Sequence, residues 1–118
     1  MPESESYTLA KHIAEYSLTK KARDVKLLNL KDLTSVTDFF VVCHADSDVQ
    51  VKAIADAVVE GTRNEGMKPW HREGYEHLNW VLLDYVDVVV HVFQEEARAF
   101  YGLERLWGDA DIETIEDK

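Results

Sequence analysis

Asp46 and Asp48 form the first pattern in this chain that could support chemistry. Two carboxylates at this spacing could hold Mg²⁺ together with phosphate oxygens and water. The same two residues flank the predicted start of a helix, where negative charge is favoured by the helix dipole. Helix capping is therefore the preferred interpretation, and a magnesium site is the alternative.

Three histidines, His71, His77 and His91, are potential zinc ligands, but no cysteine pair or closely spaced histidine pair joins them. Ser47 and His44 lie close in sequence, yet no orienting carboxylate or strained turn marks the serine as a nucleophile. The five glycines are scattered and do not form a phosphate-binding loop. The residue pattern therefore predicts no catalytic residues, no metal site and no cofactor.

The length of 118 residues corresponds to one domain with a real core. No apolar run approaches the roughly 20 residues needed to span a bilayer, and the N-terminus resembles neither a signal nor a transit peptide. The single Cys43 lies within an apolar run, which favours a buried structural thiol in a reducing compartment. We therefore expect a cytoplasmic protein without membrane contact.

The charge balance is strongly acidic, with 13 basic and 23 acidic residues and a formal net charge of -10. Phosphate neutralisation by basic residues supplies most of the affinity of RNA-binding proteins, so little direct RNA contact is expected. Complementary charge instead favours a basic protein partner. The alternative is that the acidity only maintains solubility.

The stretch 80–107 organises the chain. Two apolar strands at 80–83 and 88–93 flank a turn with two acidic residues, which predicts a β-hairpin. Neither strand alternates clearly between apolar and polar residues, so both faces of the sheet are expected to be covered. Helical spacing of Phe100, Leu103 and Trp107 then predicts one helix over 95–108, with Gly102 inside it.

The remaining elements precede this hairpin. Ser47 and Gln50 fit a capping box for a second helix, in which the serine accepts from the Gln50 amide and the glutamine reaches back, and Gly66 fits its left-handed end. Ser6 is a possible cap of the first helix. The predicted fold is an α+β sandwich, a mixed five-stranded sheet flanked by helices, in a single domain over 1–110 with a loosely ordered acidic tail at 111–118. The other predicted elements are helices at 6–21 and 47–66 and strands at 25–30, 38–43 and 68–74.

Six aromatic residues are concentrated in the second half of the chain, as is typical of protein interfaces. The alternative is that they fill the core, and we expect about half of them to be partly exposed. They are Trp70, Trp80, Tyr85, Phe100, Tyr101 and Trp107.

Three segments together resemble the ribosomal silencing factor family, also called Iojap-like proteins: TDFFVVCHADSDVQVKAIADAVVE, GMKPWHREG and WVLLDYVDVVVHVFQEEARAFYGLERLW. The resemblance covers about residues 11–110. It implies a fold similar to that of nucleotidyltransferases without their catalytic motifs, and hence a protein that is not an enzyme. It also implies a translation repressor for nutrient limitation, which binds the large ribosomal subunit through its fourteenth protein, sterically blocks subunit joining, and can form a homodimer.

By the same resemblance, Glu73, Trp80, Asp84, His91 and Tyr101 are expected to face the ribosomal protein. Trp80 would be an apolar anchor, and Asp84 and Glu73 would accept from Arg or Lys. The structural alternatives are a core position for Trp80, a turn-forming role for Asp84 and a buried, hydrogen-bonded imidazole for His91.

Two positions depart from the family pattern, Ala45 and Val86, where the family usually has glycine. A valine with positive φ is costly, so the turn at 84–87 is expected to use negative φ or to be longer than usual. Two competing functions stay open: a nucleotide-binding or nucleotidyl-transferring enzyme, based on fold analogy and Asp46-x-Asp48, and a dimeric adaptor without a ribosomal role.

Overall fold

A six-stranded mixed sheet lies at the centre of the computed structural model, which describes residues 3–116. The strands and helices follow in the order α1 (Glu3–Leu18), β1 (Arg23–Asn29), β2 (Phe39–Ala45), α2 (Asp48–Asn64), β3 (His71–Glu73), β4 (Trp80–Asp84), β5 (Val88–Gln94), α3 (Glu95–Tyr101), α4 (Leu103–Leu106) and β6 (Asp111–Ile115).

The strand order across the sheet is β3-β4-β5-β2-β1-β6. The central pair, β2 and β5, is parallel, and the other neighbours are antiparallel. The predicted α+β class and mixed sheet are confirmed, and so is the β4–β5 hairpin.

The two faces of the sheet are covered unequally. Helices α1 and α2 bury one face, which carries Val41, Val90 and Leu83, and form the main core with it. The opposite side, here called the open face, is covered over Leu28, Val42 and Phe93 by α3, α4 and the residues after them. The half-exposed Leu82 and Val89 on β4 and β5 belong to neither cluster. The apolar strands predicted that both faces of the sheet are covered, but the open face is covered only in part.

The end of the chain differs from the prediction. Residues Asp111–Ile115 form β6, which pairs with β1 as a sixth strand instead of a loosely ordered tail. Only Ile115 packs against the core, and the other side chains of this strand are exposed, so the sheet holds β6 mainly by its backbone hydrogen bonds. Residues 117 and 118 lie outside the described part of the chain.

The predicted helix over 95–108 is interrupted at Gly102, which takes the left-handed conformation with φ 57° and separates α3 from α4. A left-handed residue ends a helix because its geometry cannot continue the hydrogen-bond ladder, and glycine adopts it without steric cost. The chain therefore turns at this point and lays α4 across the sheet as a separate short helix.

The predicted cap of α2 is confirmed in part. The Ser47 Oγ accepts from the backbone amide of Gln50 at 3.2 Å. The Gln50 side chain does not reach back, because it donates to the carbonyls of Lys20 and Lys21 after α1. Gly66 has φ 82° just beyond the helix end, as expected. Ser6 does not cap α1: it lies inside that helix and is buried.

The hairpin turn between β4 and β5 does not use negative φ, the first of the two expected alternatives, since Val86 has φ 74°. The backbone amide of Asp87 donates to the carbonyl of Tyr85 at 3.0 Å, which closes a three-residue γ-turn around Val86. The Asp84 carboxylate stabilises this turn by accepting from the Val86 amide at 2.7 Å. Val86 thus adopts the backbone conformation that favours glycine, and the turn is strained as a result. At the other departure, Ala45 is the buried last residue of β2 and has no positive φ.

Candidate functional site

The strand register places four of the five predicted site residues on the open face. Directly paired residues lie on the same face of a sheet, and residues two apart on one strand do so as well. Glu73 pairs with Leu82, and Leu82 pairs with His91. Trp80 and Asp84 lie two residues to either side of Leu82 on β4. The fifth residue, Tyr101, reaches this face from α3.

Trp80 is the centre of an aromatic cluster at one end of β4. Its ring centroid lies 4.9 Å from that of Phe93 and 4.6 Å from that of Tyr101. Trp80 is half-buried, whereas Tyr101 is 49% exposed and covers one side of it. The cluster therefore combines a fixed indole with an accessible tyrosine.

His91 lies beneath this cluster and is only 3% exposed. Its Nδ1 accepts from the Trp80 indole N–H at 3.0 Å, so the proton of the neutral ring resides on Nε2. Burial lowers the pKa of His91 to about 3. Nε2 has no hydrogen-bond partner among residues 3–116. The geometry makes His91 a neutral support for the Trp80 indole.

The two predicted acidic acceptors differ in surroundings. Glu73 is exposed on the edge strand β3, where its carboxylate lies 2.9 Å from the His71 imidazole. Asp84 is half-buried and holds the Val86 amide through one carboxylate oxygen. Asp84 therefore stabilises the turn and also lies on the open face, so the two predicted roles do not exclude each other.

Exposed apolar residues lie together at the far end of β4, and only Trp70 among them had been named, as one of the six aromatic residues typical of an interface. Trp70 is 78% exposed, Val36 is 80% exposed, and Val86 is 55% exposed. They come from three separate loops, and the backbone amide of Trp70 donates to the Asp84 carbonyl at 2.8 Å. The only signal in the sequence is Trp70 itself, a large apolar residue between Pro69 and the polar run that follows it.

A buried arginine fixes the position of α3 and α4. Arg98 donates to both carboxylate oxygens of Glu104, at 3.2 and 2.9 Å, and to the carbonyl of Asp24 at 2.7 Å. It also donates to His44 Nδ1 at 2.9 Å. Burial and the Arg98 charge lower the pKa of His44. Arg98 therefore connects α3, which carries Tyr101, and α4 to the strands β1 and β2.

The carboxylates that could have bound Mg²⁺ have structural partners. Asp46 forms an ion pair with Arg23 at 2.7 Å, and Asp48 accepts from the neighbouring Val49 amide. No group of three or more His, Cys, Asp and Glu side chains within residues 3–116 is placed to hold a metal ion. Burial raises the pKa of the Cys43 thiol to about 12, which makes it a poor nucleophile.

No helix within the described range 3–116 combines the length and apolar character needed to cross a bilayer.

Comparison with known proteins identifies relatives across the whole domain. The sequence model of the family "Ribosomal silencing factor during starvation" matches residues 3–118. The Ribosomal silencing factor RsfS of Halalkalibacterium halodurans is 46% identical over 97 residues, which cover 82% of this chain and 83% of that protein. The chloroplastic protein Iojap of Zea mays is 35% identical over 111 residues, covering 92% of this chain and 47% of that protein.

Solved structures show the same fold. A crystal structure of a protein from Chromobacterium violaceum has a TM-score of 0.82 at 37% identity and covers 92% of this chain and 88% of that one. A second, from Bacillus halodurans, has a TM-score of 0.77 at 40% identity and covers 98% of this chain and 100% of that one. With a family match over nearly its full length and relatives of this identity, the chain belongs to the ribosomal silencing factor family.

Proposed function

We propose that this protein binds the large ribosomal subunit through its fourteenth protein and represses translation under nutrient limitation by blocking subunit joining. The binding surface is the open face, from Tyr101 and Trp80 at one end of β4 to Trp70 at the other. The observation that carries the proposal is the unequal coverage of the sheet. Helices α1 and α2 bury one face, while β3 and β4 present aromatic and acidic side chains on the other, next to the half-exposed Val89 at the start of β5.

The composition of this surface suits a protein partner. Half-exposed apolar residues, Leu82 and Val89, lie between aromatic residues at both ends, and the acidic residues Glu73 and Asp84 flank them. Protein interfaces combine an apolar centre with a polar rim, and aromatic residues contribute much of their binding energy. The net charge of -10 favours approach to a basic protein and disfavours contact with rRNA phosphates.

The mechanism is steric and requires no chemical step. A 13.6 kDa domain bound where the small subunit docks would occupy space that the intersubunit contact needs. The rigid support of the surface serves this role, since His91 holds the Trp80 indole and Arg98 holds α3. A preformed surface loses less conformational entropy on binding than a flexible one.

Co-sedimentation with purified ribosomal subunits tests the proposal. We expect the wild-type protein to migrate with large subunits, not with small ones, and to reduce the fraction of joined ribosomes. Tyr101→Ala and Glu73→Lys change exposed residues of the open face, and each should weaken binding about 10-fold. The matched controls Val49→Ala and Glu60→Lys lie on α2, on the opposite side of the sheet, and should bind like the wild type.

Failure of the wild-type protein to bind large subunits would refute the proposed function. Binding that is unaffected by both open-face variants would refute the assigned surface. Migration with large subunits without any effect on subunit joining would refute the steric mechanism.

Two other functions remain as alternatives with distinct outcomes. A nucleotide-binding enzyme predicts micromolar ATP binding in the presence of Mg²⁺ that Asp46→Ala abolishes, but the ion pair between Asp46 and Arg23 gives no support for such a site. A dimeric adaptor without a ribosomal role predicts self-association and no migration with large subunits. If the homodimer and the ribosome used the same surface, only the monomer could bind. Lowering the protein concentration at a constant concentration of subunits would then dissociate the dimer and increase the fraction of the protein that is bound to subunits.

A further inference from the structure

A cleft of about 270 Å³ lies at the end of the open face, between the hairpin turn and the chain segment before β3. It is lined by Val36, Trp70, Asp84, Val86 and Val89. Three loops contribute to it, and the hydrogen bond from the Trp70 amide to the Asp84 carbonyl fixes two of them relative to each other. The cleft is therefore a defined feature of the hairpin end.

The lining of the cleft combines apolar walls with one carboxylate. Four of the five lining residues are apolar, and Trp70, Val36 and Val86 are well exposed. One oxygen of Asp84 accepts from the Val86 amide, and the side chain takes part in no ion pair with any residue in the range 3–116. No lysine or arginine lines the cleft. The site thus presents an acceptor without a cationic partner, next to an exposed indole.

We propose that this cleft receives an arginine side chain of the protein partner. This inference rests on the proposed function and specifies the chemistry that the open face recognises. The guanidinium group would stack on the Trp70 indole and donate to the Asp84 carboxylate, while its aliphatic stem would pack against Val36 and Val86. Arginine suits all three contacts, because its cation is planar, weakly hydrated and carried on an apolar stem.

Other side chains fit the cleft less well. An apolar side chain would remove water from the Asp84 carboxylate without giving it a donor, which is costly. A lysine ammonium could pair with the carboxylate, but it is compact and strongly hydrated, and it lacks a planar face to stack on the indole. Acidic groups are repelled by Asp84 itself.

Val86 gives a way to separate binding from folding. Its side chain lines the cleft although its backbone is held at φ 74°, a conformation that glycine adopts without strain. Val86→Gly should relieve this strain and remove one wall of the cleft. We therefore expect a variant that is at least as stable as the wild type but binds the large subunit several-fold more weakly.

The direct test is an NMR titration of the 118-residue protein with N-acetyl-arginine amide. The Trp70 indole N–H and the Val86 amide should shift with a Kd of about 10 mM, the range expected for a single stacked and paired side chain. The Val86 amide shift should vanish in Trp70→Ala and persist in Trp70→Phe, and both shifts of the wild type should be several-fold smaller with N-acetyl-lysine amide. In sedimentation, Trp70→Ala should weaken large-subunit binding about 10-fold, with Val49→Ala as the exposed apolar control.

The outcomes distinguish this inference from the proposed function. If arginine amide causes no shift while the wild type still sediments with large subunits, the cleft assignment is wrong and the proposed function stands. Equal shifts with lysine amide would overturn the assignment to a guanidinium. If arginine amide shifts Trp70 but the wild type does not bind large subunits, the cleft recognises arginine and the proposed function is wrong.

Discussion

His91 makes the folded protein sensitive to acid, and the size of the effect follows from its burial. The pKa of His91 is lowered from 6.5 to about 3 in the folded state, whereas in the unfolded chain it returns to the ordinary value. The unfolded state therefore binds the extra proton first as the pH falls. Protonation of His91 therefore has no effect on the free energy of unfolding above pH 6.5. Below pH 6.5 it lowers the free energy of unfolding progressively, and the effect levels off near pH 3.

At pH 5 the protein is one and a half pH units below the unfolded pKa of His91. At about 1.4 kcal/mol per unit, His91 alone should lower the free energy of unfolding by about 2 kcal/mol between pH 7.5 and pH 5. The variant His91→Gln keeps an acceptor for the Trp80 indole and cannot take up the proton. Between pH 7.5 and pH 5, the free energy of unfolding of this variant should therefore fall by about 2 kcal/mol less than that of the wild type.

Urea denaturation followed by tryptophan fluorescence at pH 7.5 and pH 5 measures this difference. Other titrating groups, including His44 with its lowered pKa, contribute equally to both proteins and cancel in the comparison. His77→Gln replaces an exposed histidine by the same residue, glutamine, and serves as the matched control variant. Parallel losses of stability in the wild type and His91→Gln would show that His91 is not held neutral by burial, and the reasoning would fail.

Two further predictions concern backbone and packing constraints. Val86→Gly should raise the free energy of unfolding by about 1 kcal/mol, because relief of the positive-φ strain exceeds the entropy that glycine adds to the unfolded chain; a lower urea midpoint would contradict the strained turn. Gly61→Ala should lower it by about 1 kcal/mol despite the better helix propensity of alanine, because the new methyl carbon would lie 2.6 Å from the Tyr16 ring. In a Tyr16→Ala background the same change should instead stabilise by about 1 kcal/mol, and a double-mutant cycle measures this coupling.

Much of the fold could be predicted because apolar periodicity reports burial directly. The hairpin of β4 and β5 and the core-facing stripe of α2 follow from that pattern, and the structure confirms them. Strand β6 could not be found in this way, since most of its side chains are exposed and its position depends on backbone pairing with β1. The break at Gly102 was also missed, because one glycine inside a periodic stretch is compatible with a continuous helix.

The candidate site was partly accessible to sequence reasoning. Once Trp80, Asp84 and His91 are assigned to one hairpin, its register determines that they share a face. The burial of His91 depends on the rings of Phe40 and Trp80 that surround it. The sequence alone therefore could not decide whether His91 contacts the partner protein or supports Trp80 from within the fold. The cleft at Trp70 could not be predicted, since it arises where three loops meet.

The parallel pairing of β2 with β5 has a consequence for how the chain folds. These two central strands are separated in sequence by α2, β3 and β4, so their ladder from Phe39–Val88 to Ala45–Gln94 forms only after a long loop closes. The antiparallel pairs β1–β2, β3–β4 and β4–β5 can form early, but none of them completes the core. Until β5 docks, the apolar edge of β2 has no partner and can pair with other chains. A slow folding phase should therefore report this closure, and changes along the β2–β5 ladder should alter yield and aggregation during refolding more than changes of equal cost in β6.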